Sequence, residues 1–406
     1  MASDAWSSPH YGNEERQRNT PIVVMLSLDG FRYDYLGQYS EQSSNLRGIA
    51  NSGIQVSGLI PGFPSSTFSN HYSIVTGLYP GNHGIIGNSF FDRKRQATYR
   101  LGDREAFEDG TWYRGEPLWV AAEKAGLRTA SFFWVGSEAD IQGIRPTYYE
   151  IYDGSVHNGA RVDQVLDWLA LPLGERPNLV TMYFSLVDSA GHRYGPNSKE
   201  VRQAIDSADR QVARLLAGLE AIEHPVYLLI SSDHGMHSVD SEQTVFLEDF
   251  IDLRDWRGAN RIVPGGAYAF FYSDDKQLIQ RVKAGLTDVD GLQVVSPKDF
   301  RSILNFPQRG ARMPDLAVVA EAPRYLSFRR GKGRKPPVGA HGYLPQTTPE
   351  MKGIFYAKGP RIPRGKKLPD VENIHIYPLV LNLLGIDSTK PVDGDPAVLV
   401  PHLKER

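Results

Sequence analysis

Short apolar runs, each followed by an aspartate, are the clearest pattern along this chain. The runs and their aspartates are residues 22–28 (IVVMLSL) with Asp29, residues 179–187 (LVTMYFSLV) with Asp188, and residues 226–232 (VYLLISS) with Asp233. Runs of this kind, without polar alternation, are typical of strands that are buried on both faces of a parallel sheet. A later run, residues 353–358 (GIFYAK), has the same character.

Amphipathic helical patterns alternate with these runs. Their apolar residues recur every three or four positions, and charged residues occupy the opposite face. The predicted helices cover residues 117–125, 160–170 and 198–220. The alternation predicts an α/β fold with a mostly parallel central sheet flanked by helices. Because ligands of such sheets bind beyond the carboxyl ends of the strands, the aspartates that follow the runs are expected to meet at that edge.

Residues 240–335 interrupt this alternation. They contain an alternating apolar run at 267–272, a helical pattern at 276–286, and the first part of a basic Gly/Pro loop at 329–337. We interpret residues 240–335 as a smaller inserted α+β subdomain, which divides the core into residues 21–239 and 336–406. Charge runs are usually solvated surface, and we interpret the loop's charges in this way. These charges are Arg329, Arg330, Lys332, Arg334 and Lys335.

Composition narrows the class of protein. The 406 residues are 41% hydrophobic and 23% charged, which excludes a disordered, collagen-like or coiled-coil chain. No apolar run approaches the ~20 residues of a membrane-spanning helix, so no membrane span is expected. The formal net charge is −2, which argues against non-specific nucleic-acid binding. The chain has no cysteine, so disulfides, thiolate metal sites and a cysteine nucleophile are excluded. Residues 1–20 are polar, lack the apolar segment of a signal peptide, and are expected to be a flexible leader.

Three aspartates and three histidines form a candidate metal-ligand set. They are Asp29, Asp188, His192, Asp233, His234 and His341. Zinc accepts both carboxylate and imidazole ligands, and six ligands are too many for one tetrahedral ion. With a seventh, oxygen ligand they divide naturally between two ions. Considered alone, Asp29 could equally be a turn residue at the end of a strand. His341, considered alone, could equally be a hydrogen-bonded structural histidine. Three apolar runs that end in aspartate, two with a histidine close by, favour the metal interpretation.

Thr67 is the candidate nucleophile. It lies where a loop rich in Gly, Pro and Ser enters a helical pattern that ends near Gly77. Backbone N–H groups at a helix N-terminus favour an anion. A hydroxyl is a weak nucleophile unless a metal ion or a base activates it. Thr67 is equally typical of a helix N-cap, and the loop pattern alone leaves Ser65, Ser66 and Ser69 eligible.

Seven segments, in this order, resemble the nucleotide pyrophosphatase/phosphodiesterase family of the alkaline phosphatase superfamily. They are LSLDGFRYDYL (26–36), FPSSTFSNHYSIVTGLYPGNHGIIGN (63–88), GEPLWVAAEKAG (115–126), FFWVGSEADIQGIRP (132–146), YFSLVDSAGHRYGP (183–196), SDHGM (232–236) and AHGY (340–343). The resemblance implies an alkaline-phosphatase-like core and two zinc ions. It assigns one ion to Asp188, His192 and His341, and the other to Asp29, Asp233, His234 and the Thr67 hydroxyl.

The resemblance also implies roles in catalysis and substrate binding. Thr67 matches the nucleophilic threonine of the family, Asn88 the asparagine that hydrogen-bonds a phosphate oxygen, and Phe68 and Tyr183 the aromatic residues on either side of a nucleobase. The implied reaction hydrolyses nucleotide phosphodiester or pyrophosphate bonds to nucleoside 5′-monophosphates through a phospho-threonine intermediate. One departure concerns the leaving group: Leu186-Val187 precede Asp188 where the family commonly has a polar pair.

Several alternatives remain open from the residues. The same core could carry a phospholipase C-like choline-headgroup phosphodiesterase, a phosphonate hydrolase or a phosphomonoesterase. A protein that binds metal and nucleotide without turnover is the alternative from another class. The expected partner is a small nucleotide or another phosphodiester. The residues themselves allow either a cytoplasmic protein or an exported one whose signal has been removed. Because relatives of the family are often exported, we expect a periplasmic or secreted protein.

Overall fold

The computed structural model describes residues 14–331, 335–387 and 390–405. Within them, eight strands form a central sheet, and its order across the sheet is Lys366–Leu368, Ile54–Val56, Phe355–Lys358, Val226–Ser231, Ile22–Leu28, Leu179–Phe184, Thr129–Phe132 and Tyr148–Glu150. The mostly parallel sheet predicted from the apolar runs is confirmed. Phe355–Lys358 is the exception, because this buried strand runs antiparallel to both of its neighbours.

Ile22–Leu28 lies in the middle of the sheet, and all seven of its residues are buried. Its alternate side chains enter different apolar clusters: Val23 and Met25 lie in one, and Val24 and Leu26 in the other. A side chain buried in this way contributes about 1.5–3 kcal/mol. The strand therefore has no solvent-exposed face, which explains why its residues are apolar except for the buried Ser27.

Helices cover both faces of this sheet. One face packs against Ser44–Ser52, Asn158–Leu169 and Lys199–Glu220, and the other against Thr67–Thr76, Leu118–Lys124 and Ile376–Leu384. The three helices predicted for the core differ from the observed ones by no more than two residues at either end. The other α-helices are Glu14–Asn19, Tyr35–Gln38, Pro80–His83, Arg104–Glu108, Leu186–Tyr194, Lys276–Thr287, Phe300–Leu304 and Pro396–Leu399.

Short elements complete the chain. The 3₁₀ helices are Gly110–Trp112, Ile141–Gly143, Ser241–Gln243, Leu247–Asp249, Leu253–Asp255, Pro297–Asp299, Pro349–Met351, Asn373–His375 and Val400–His402. The two-stranded pairs are Ser89–Asp92 with Ala97–Arg100, His237–Ser238 with Gly339–Ala340, Val245–Phe246 with Leu326–Ser327, and Leu59–Ile60 with Val371–Glu372.

Residues 240–335 contain a second sheet. Its four antiparallel strands, in order, are Arg261–Pro264, Tyr268–Tyr272, Leu316–Ala320 and Leu292–Val295. Tyr268 and Phe270 pack with Phe63 of the core, and Phe271 on the opposite face lies in a separate cluster with Val282 of the helix Lys276–Thr287. The alternating pattern thus buries both faces. The boundaries of the inserted subdomain remain a prediction.

A buried ion pair links these residues to the core. Arg312 Nε lies 2.9 Å from Asp92 Oδ2, and both side chains are almost fully buried. Arg312 Nη1 also donates to the carbonyls of Gly84 and Trp112, at 2.8 and 2.6 Å. Since a buried charge is costly without partners, this contact fixes Arg312 to the hairpin that contains Asp92.

The expected leader and the basic loop are described only in part. Residues 1–13 lie outside the described residues, but Glu14–Asn19 is a helix, and Gln17 and Thr20 are buried. Asn178 Nδ2 donates to the carbonyls of both residues. Residues 14–20 therefore pack on the core and do not form the expected flexible leader.

In the basic loop, Lys332 and Arg334 lie outside the described residues. The other loop charges that the structure describes, at 329, 330 and 335, are exposed, as expected. In the described part of the chain, no helix combines the length and the apolar character needed to cross a bilayer.

Candidate active site

The carboxylates converge at one edge of the central sheet, as predicted. Asp29 directly follows its strand, and Asp233 lies two residues beyond the strand Val226–Ser231. Asp188 differs from the prediction. Its strand ends at Phe184, and Asp188 lies in the first turn of the helix Leu186–Tyr194. Its amide donates to the Asp29 carbonyl at 3.1 Å, so backbone contact brings these two residues together.

Gly30 makes this approach possible. Its φ is +68°, and a Cβ atom here would lie 2.8 Å from Asp188 Cα and 2.9 Å from Asp188 Cβ. A larger residue would be strained in this conformation and would displace the start of the helix. The helix also places His192 one turn after Asp188, so that His192 Nε2 lies 3.4 Å from Asp188 Oδ1.

The histidines complete two adjoining groups. In the first, His341 Nε2 lies 3.1 Å from His192 Nε2 and 3.8 Å from Asp188 Oδ1. In the second, His234 Nε2 lies 3.4 Å from Asp29 Oδ1 and 3.0 Å from Asp233 Oδ2. The His234 and His341 rings stack with their centres 3.7 Å apart. The structure therefore brings all six predicted aspartates and histidines into one cluster.

Backbone carbonyls set the tautomer of each histidine in the cluster. The Nδ1 atoms of His192, His234 and His341 lie 2.8, 2.9 and 2.8 Å from the carbonyls of Gly339, Gly235 and Ser65. A carbonyl can only accept, so each Nδ1 carries the proton and each Nε2 presents a lone pair to the cluster. Burial, together with the neighbouring imidazoles, lowers the pKa of His341 to about 3 and that of His234 well below its ordinary value. Both rings are thus neutral near pH 7.

The aspartates are poorly satisfied without a cation. Burial and mutual repulsion raise the pKa of Asp29 and of Asp233 well above the ordinary range. Within the described residues, Asp29 Oδ1, Asp188 Oδ1 and Asp233 Oδ2 are buried and accept no hydrogen bond. Unpaired buried carboxylate oxygens beside bare imidazole nitrogens fit a divalent cation, which these atoms can ligate.

Thr67 is the loop hydroxyl that faces the cluster. It is the first residue of the helix Thr67–Thr76, and its Oγ1 lies 3.2 Å from His234 Nε2. The other candidate hydroxyls face elsewhere. Ser65 donates to the Tyr343 carbonyl and Ser69 to the carbonyls of residues 64 and 66, whereas Ser66 hydrogen-bonds Tyr268. Geometry thus separates Thr67 from the serines that the sequence pattern left eligible.

Asn88 lies beside Thr67 and presents a donor. Its Oδ1 accepts a hydrogen bond of 2.9 Å from the Phe68 amide, and the residue lines a cavity next to the cluster. Because the oxygen is held by the backbone, the Nδ2 amide group remains available to a ligand oxygen. This is the arrangement that a phosphate-binding asparagine requires.

The cavity has a volume of about 510 Å³ and a mostly apolar wall. Its aromatic lining residues are Phe68, Phe107, Phe133, Tyr152 and Tyr183. Tyr183 is 9% exposed, and its hydroxyl donates to Asp29 Oδ2 at 2.5 Å, so its polar end touches a candidate metal ligand. Trp134, in contrast, is fully buried behind the site and donates to the His71 carbonyl.

Tyr152 is a cavity residue that sequence reasoning missed. It is 45% exposed, and its amide donates to Glu138 Oε1 at 3.0 Å. Glu138 is buried, and its other oxygen accepts from Arg104, which also lines the cavity. The sequence around it, residues 145–153 (RPTYYEIYD), has no pattern that distinguishes Tyr152 from Tyr148 and Tyr149. One buried carboxylate thus holds two residues of the cavity rim.

Comparisons with known proteins agree with this geometry. A family model described as type I phosphodiesterase / nucleotide pyrophosphatase matches residues 23–344. The chain is 33% identical over 382 residues to ectonucleotide pyrophosphatase/phosphodiesterase family member 1 of Mus musculus, covering 90% of this chain and 41% of that protein. It is 32% identical over 383 residues to a venom phosphodiesterase of Crotalus durissus collilineatus, covering 92% and 45%. The chain thus spans less than half the length of these curated relatives.

A solved structure supports the fold. Murine ectonucleotide pyrophosphatase/phosphodiesterase 5, described as an inactive threonine-to-alanine variant in complex with AMP, superposes with a TM-score of 0.86 and 25% identity. The match covers 95% of this chain and 100% of that one. The alkaline-phosphatase-like fold expected from the sequence is therefore confirmed. The chain belongs to the type I phosphodiesterase / nucleotide pyrophosphatase family.

Proposed function

We propose that this chain hydrolyses phosphodiester and pyrophosphate bonds of nucleotides and releases nucleoside 5′-monophosphates. The observation that carries the proposal is the position of the Thr67 hydroxyl. It lies at a helix N-terminus, 3.2 Å from a neutral imidazole of the aspartate–histidine cluster and beside the amide group of Asn88. The groups proposed as nucleophile, cation ligands and oxyanion donor thus lie around one point.

The proposed cofactor is a pair of zinc ions. One would be held by Asp188, His192 and His341, and the other by Asp29, Asp233, His234 and the Thr67 hydroxyl. An oxygen of Asp188 lies within 4.8 Å of ligand atoms in both groups, so the two sites would adjoin. Such a pair acidifies a hydroxyl and stabilises the attacking and leaving oxygens of an in-line displacement.

The chain's own residues define the two steps. Thr67 Oγ1 attacks phosphorus, and the bond from phosphorus to the leaving-group oxygen breaks. Asn88 Nδ2 donates to a non-bridging oxygen as negative charge develops there. A water molecule then attacks the phospho-threonine, the Thr67 oxygen leaves, and a nucleoside 5′-monophosphate is released.

The cavity supports a nucleotide as the group that is transferred. Phe68 and Tyr183 are the residues proposed to flank the base, and Tyr152 adds an exposed ring at the rim. Aromatic rings bind bases with little sequence preference, because every base has a π-face. The murine relative bound to AMP supports a nucleotide over a choline headgroup or a phosphonate.

Substitution of Thr67 tests the reaction. We expect Thr67→Ala to keep its metal but to lose at least ~1,000-fold in kcat on the p-nitrophenyl ester of thymidine 5′-monophosphate, since it removes the nucleophile. Thr67→Ser is the matched control and should retain most of the activity. Full activity of Thr67→Ala would show that the nucleophile is misassigned.

Metal content tests the ligand assignment independently. We expect His341→Ala to lose one metal equivalent per chain by elemental analysis, since it removes one of three ligands of a site. His237→Ala is a suitable control, because His237 is a nearby histidine whose Nδ1 bonds the Ser238 carbonyl outside the cluster. Unchanged stoichiometry in His341→Ala would remove His341 from the site.

We also propose that the protein acts in the periplasm or after secretion. The names of the relatives, an ectonucleotide enzyme and a venom enzyme, support this location. Fractionation of the source cells should recover the activity outside the cytoplasm. Recovery with cytoplasmic markers would contradict the proposal.

A further inference from the structure

A second cavity adjoins the same cluster. Its volume is about 470 Å³, and it shares Asn88, Leu101, His192 and His341 with the first cavity. Thr67, Asp29 and Asp188 line the first cavity but not the second. The second cavity therefore meets the cluster at the histidines that belong to the Asp188 group, away from the nucleophile.

Residues 240–335 build much of the second cavity's wall. They contribute Pro264, Gly265, Gly266, Tyr268 and Tyr325. The two glycines are required for this packing, because a Cβ on Gly265 would lie 2.1 Å from the Tyr268 ring and one on Gly266 would lie 2.6 Å from the Tyr325 ring. Gly266 also has a φ of +77°. The wall is thus a close-packed surface held against the site.

The two cavities differ in chemistry. The first has the aromatic wall described above. Arg100, an exposed residue of the hairpin strand Ala97–Arg100, lines the second cavity together with Ser66, Ser89 and Tyr268. The Ser89 hydroxyl donates to the Tyr99 carbonyl at 2.9 Å, and Ser66 hydrogen-bonds Tyr268. No aspartate or glutamate is among the described residues that line it. A cavity lined by a cationic side chain and by no carboxylate favours an anion.

The geometry of an in-line displacement indicates which part of the substrate would face the second cavity. The group that is transferred stays on the side of Thr67, and the leaving group departs from the opposite face of phosphorus. His192 and His341 lie between the two cavities, since both line each of them. A leaving group that departs past His192 and His341 would therefore meet the second cavity.

We propose that this second cavity binds the phosphate groups of the leaving group, and that Arg100 is its charged contact. The inference rests on the function proposed above. It makes Arg100 a determinant of how well the protein cleaves substrates whose leaving group carries phosphate, relative to substrates whose leaving group carries none. Residues 240–335 thereby gain a role in selecting the leaving group.

Two substrates test this inference, because both transfer a nucleoside 5′-monophosphate and they differ in whether the leaving group carries phosphate. ATP leaves pyrophosphate, whereas the p-nitrophenyl ester of thymidine 5′-monophosphate leaves an aryl oxide without phosphate. We expect Arg100→Gln to lower kcat/KM for ATP about tenfold and to change kcat/KM for the ester less than about twofold. Inhibition by added pyrophosphate should weaken by a similar factor. Lys94→Gln is the matched control, because Lys94 is exposed on the same hairpin and lines neither cavity.

The outcomes separate this inference from the function on which it rests. Unchanged kcat/KM for ATP in Arg100→Gln, or an equal loss on both substrates, would overturn the role of the second cavity while leaving the hydrolase intact. A metal-loaded wild-type protein that cleaves neither substrate would overturn the proposed function itself. Equal weakening by Lys94→Gln would show that only the general surface charge matters.

Discussion

The hydroxyl of Tyr183 gives a sharp test of how the cluster is supported. Tyr183→Phe removes one oxygen and keeps a ring that packs against His71, with centres 5.2 Å apart. The lost hydrogen bond, 2.5 Å to Asp29 Oδ2, is buried and goes to a carboxylate. Such a bond contributes about 1.5–3 kcal/mol, which corresponds to a factor of roughly 10–150 in an equilibrium constant. Outer partners of metal ligands typically change metal affinity by about 10–100-fold, so we expect a loss in this range.

The assay is a titration of metal-free protein with Zn²⁺ against a competing chelator, with kcat/KM measured at saturating metal. Tyr35→Phe is the matched control, because the Tyr35 hydroxyl is buried and donates to the Pro196 carbonyl at 2.9 Å, outside the cluster. That variant should lose about 1 kcal/mol of stability and keep its metal affinity. A wild-type affinity in Tyr183→Phe would refute the reasoning that this hydroxyl orients Asp29.

Three further predictions concern stability, pH and substrate binding. Arg312→Ala should lower the free energy of unfolding by about 3–5 kcal/mol, because it leaves Asp92 buried without its partner. Arg330→Ala removes an exposed ion pair and should change the free energy of unfolding little. Similar denaturation midpoints for the two variants would contradict this prediction. The buried aspartates of the cluster have raised pKa values in the folded state, so the metal-free protein should lose stability as pH rises from about 4 through those values. The Tm difference between metal-loaded and chelated protein should then widen with pH, and a constant difference would argue against it. Tyr152→Ala should raise KM for a nucleotide about tenfold with kcat nearly unchanged, because it removes a stacking ring and no reacting group; an equal fall in kcat would place Tyr152 in the chemistry.

Sequence patterns predicted the parts of the molecule that depend on burial and chain direction. Residues 22–28 are apolar except for the buried Ser27, because both faces of their strand are covered. The convergence of Asp29 and Asp233 follows from parallel strands that end at one edge. The periodicity and polarity of a segment can predict a strand but not its direction in the sheet. The sequence therefore did not predict that Phe355–Lys358 runs antiparallel to its neighbours. The sequence pattern placed Asp188 at the end of a strand, whereas it lies in the first turn of the helix that follows. The reason is that the apolar residues continue past the end of the strand into this helix.

Other features depend on contacts between distant parts of the chain. Tyr152 reaches the cavity because Glu138 binds its amide, and this contact leaves no periodic signal. The choice of Thr67 over the neighbouring serines depends on where hydroxyls point within one turn of helix, which loop composition does not encode. The resemblance to a known family supplied that choice, and the 3.2 Å contact with His234 supports it on separate grounds.

The carbonyls that orient the three histidines have an evolutionary consequence. A backbone oxygen is present whatever side chain the residue carries, so the outer support of these three histidines leaves no chemical signature in a sequence. A mutational scan would still find Gly235 and Gly339 intolerant, because a Cβ would lie 2.1 Å from the Glu350 carbonyl oxygen in one case and 2.4 Å from the Gly191 carbonyl oxygen in the other. Selection against crowding would thus preserve imidazole orientation indirectly. Lineages could vary the side chains around these histidines while the orientation of the imidazoles was inherited through the main chain.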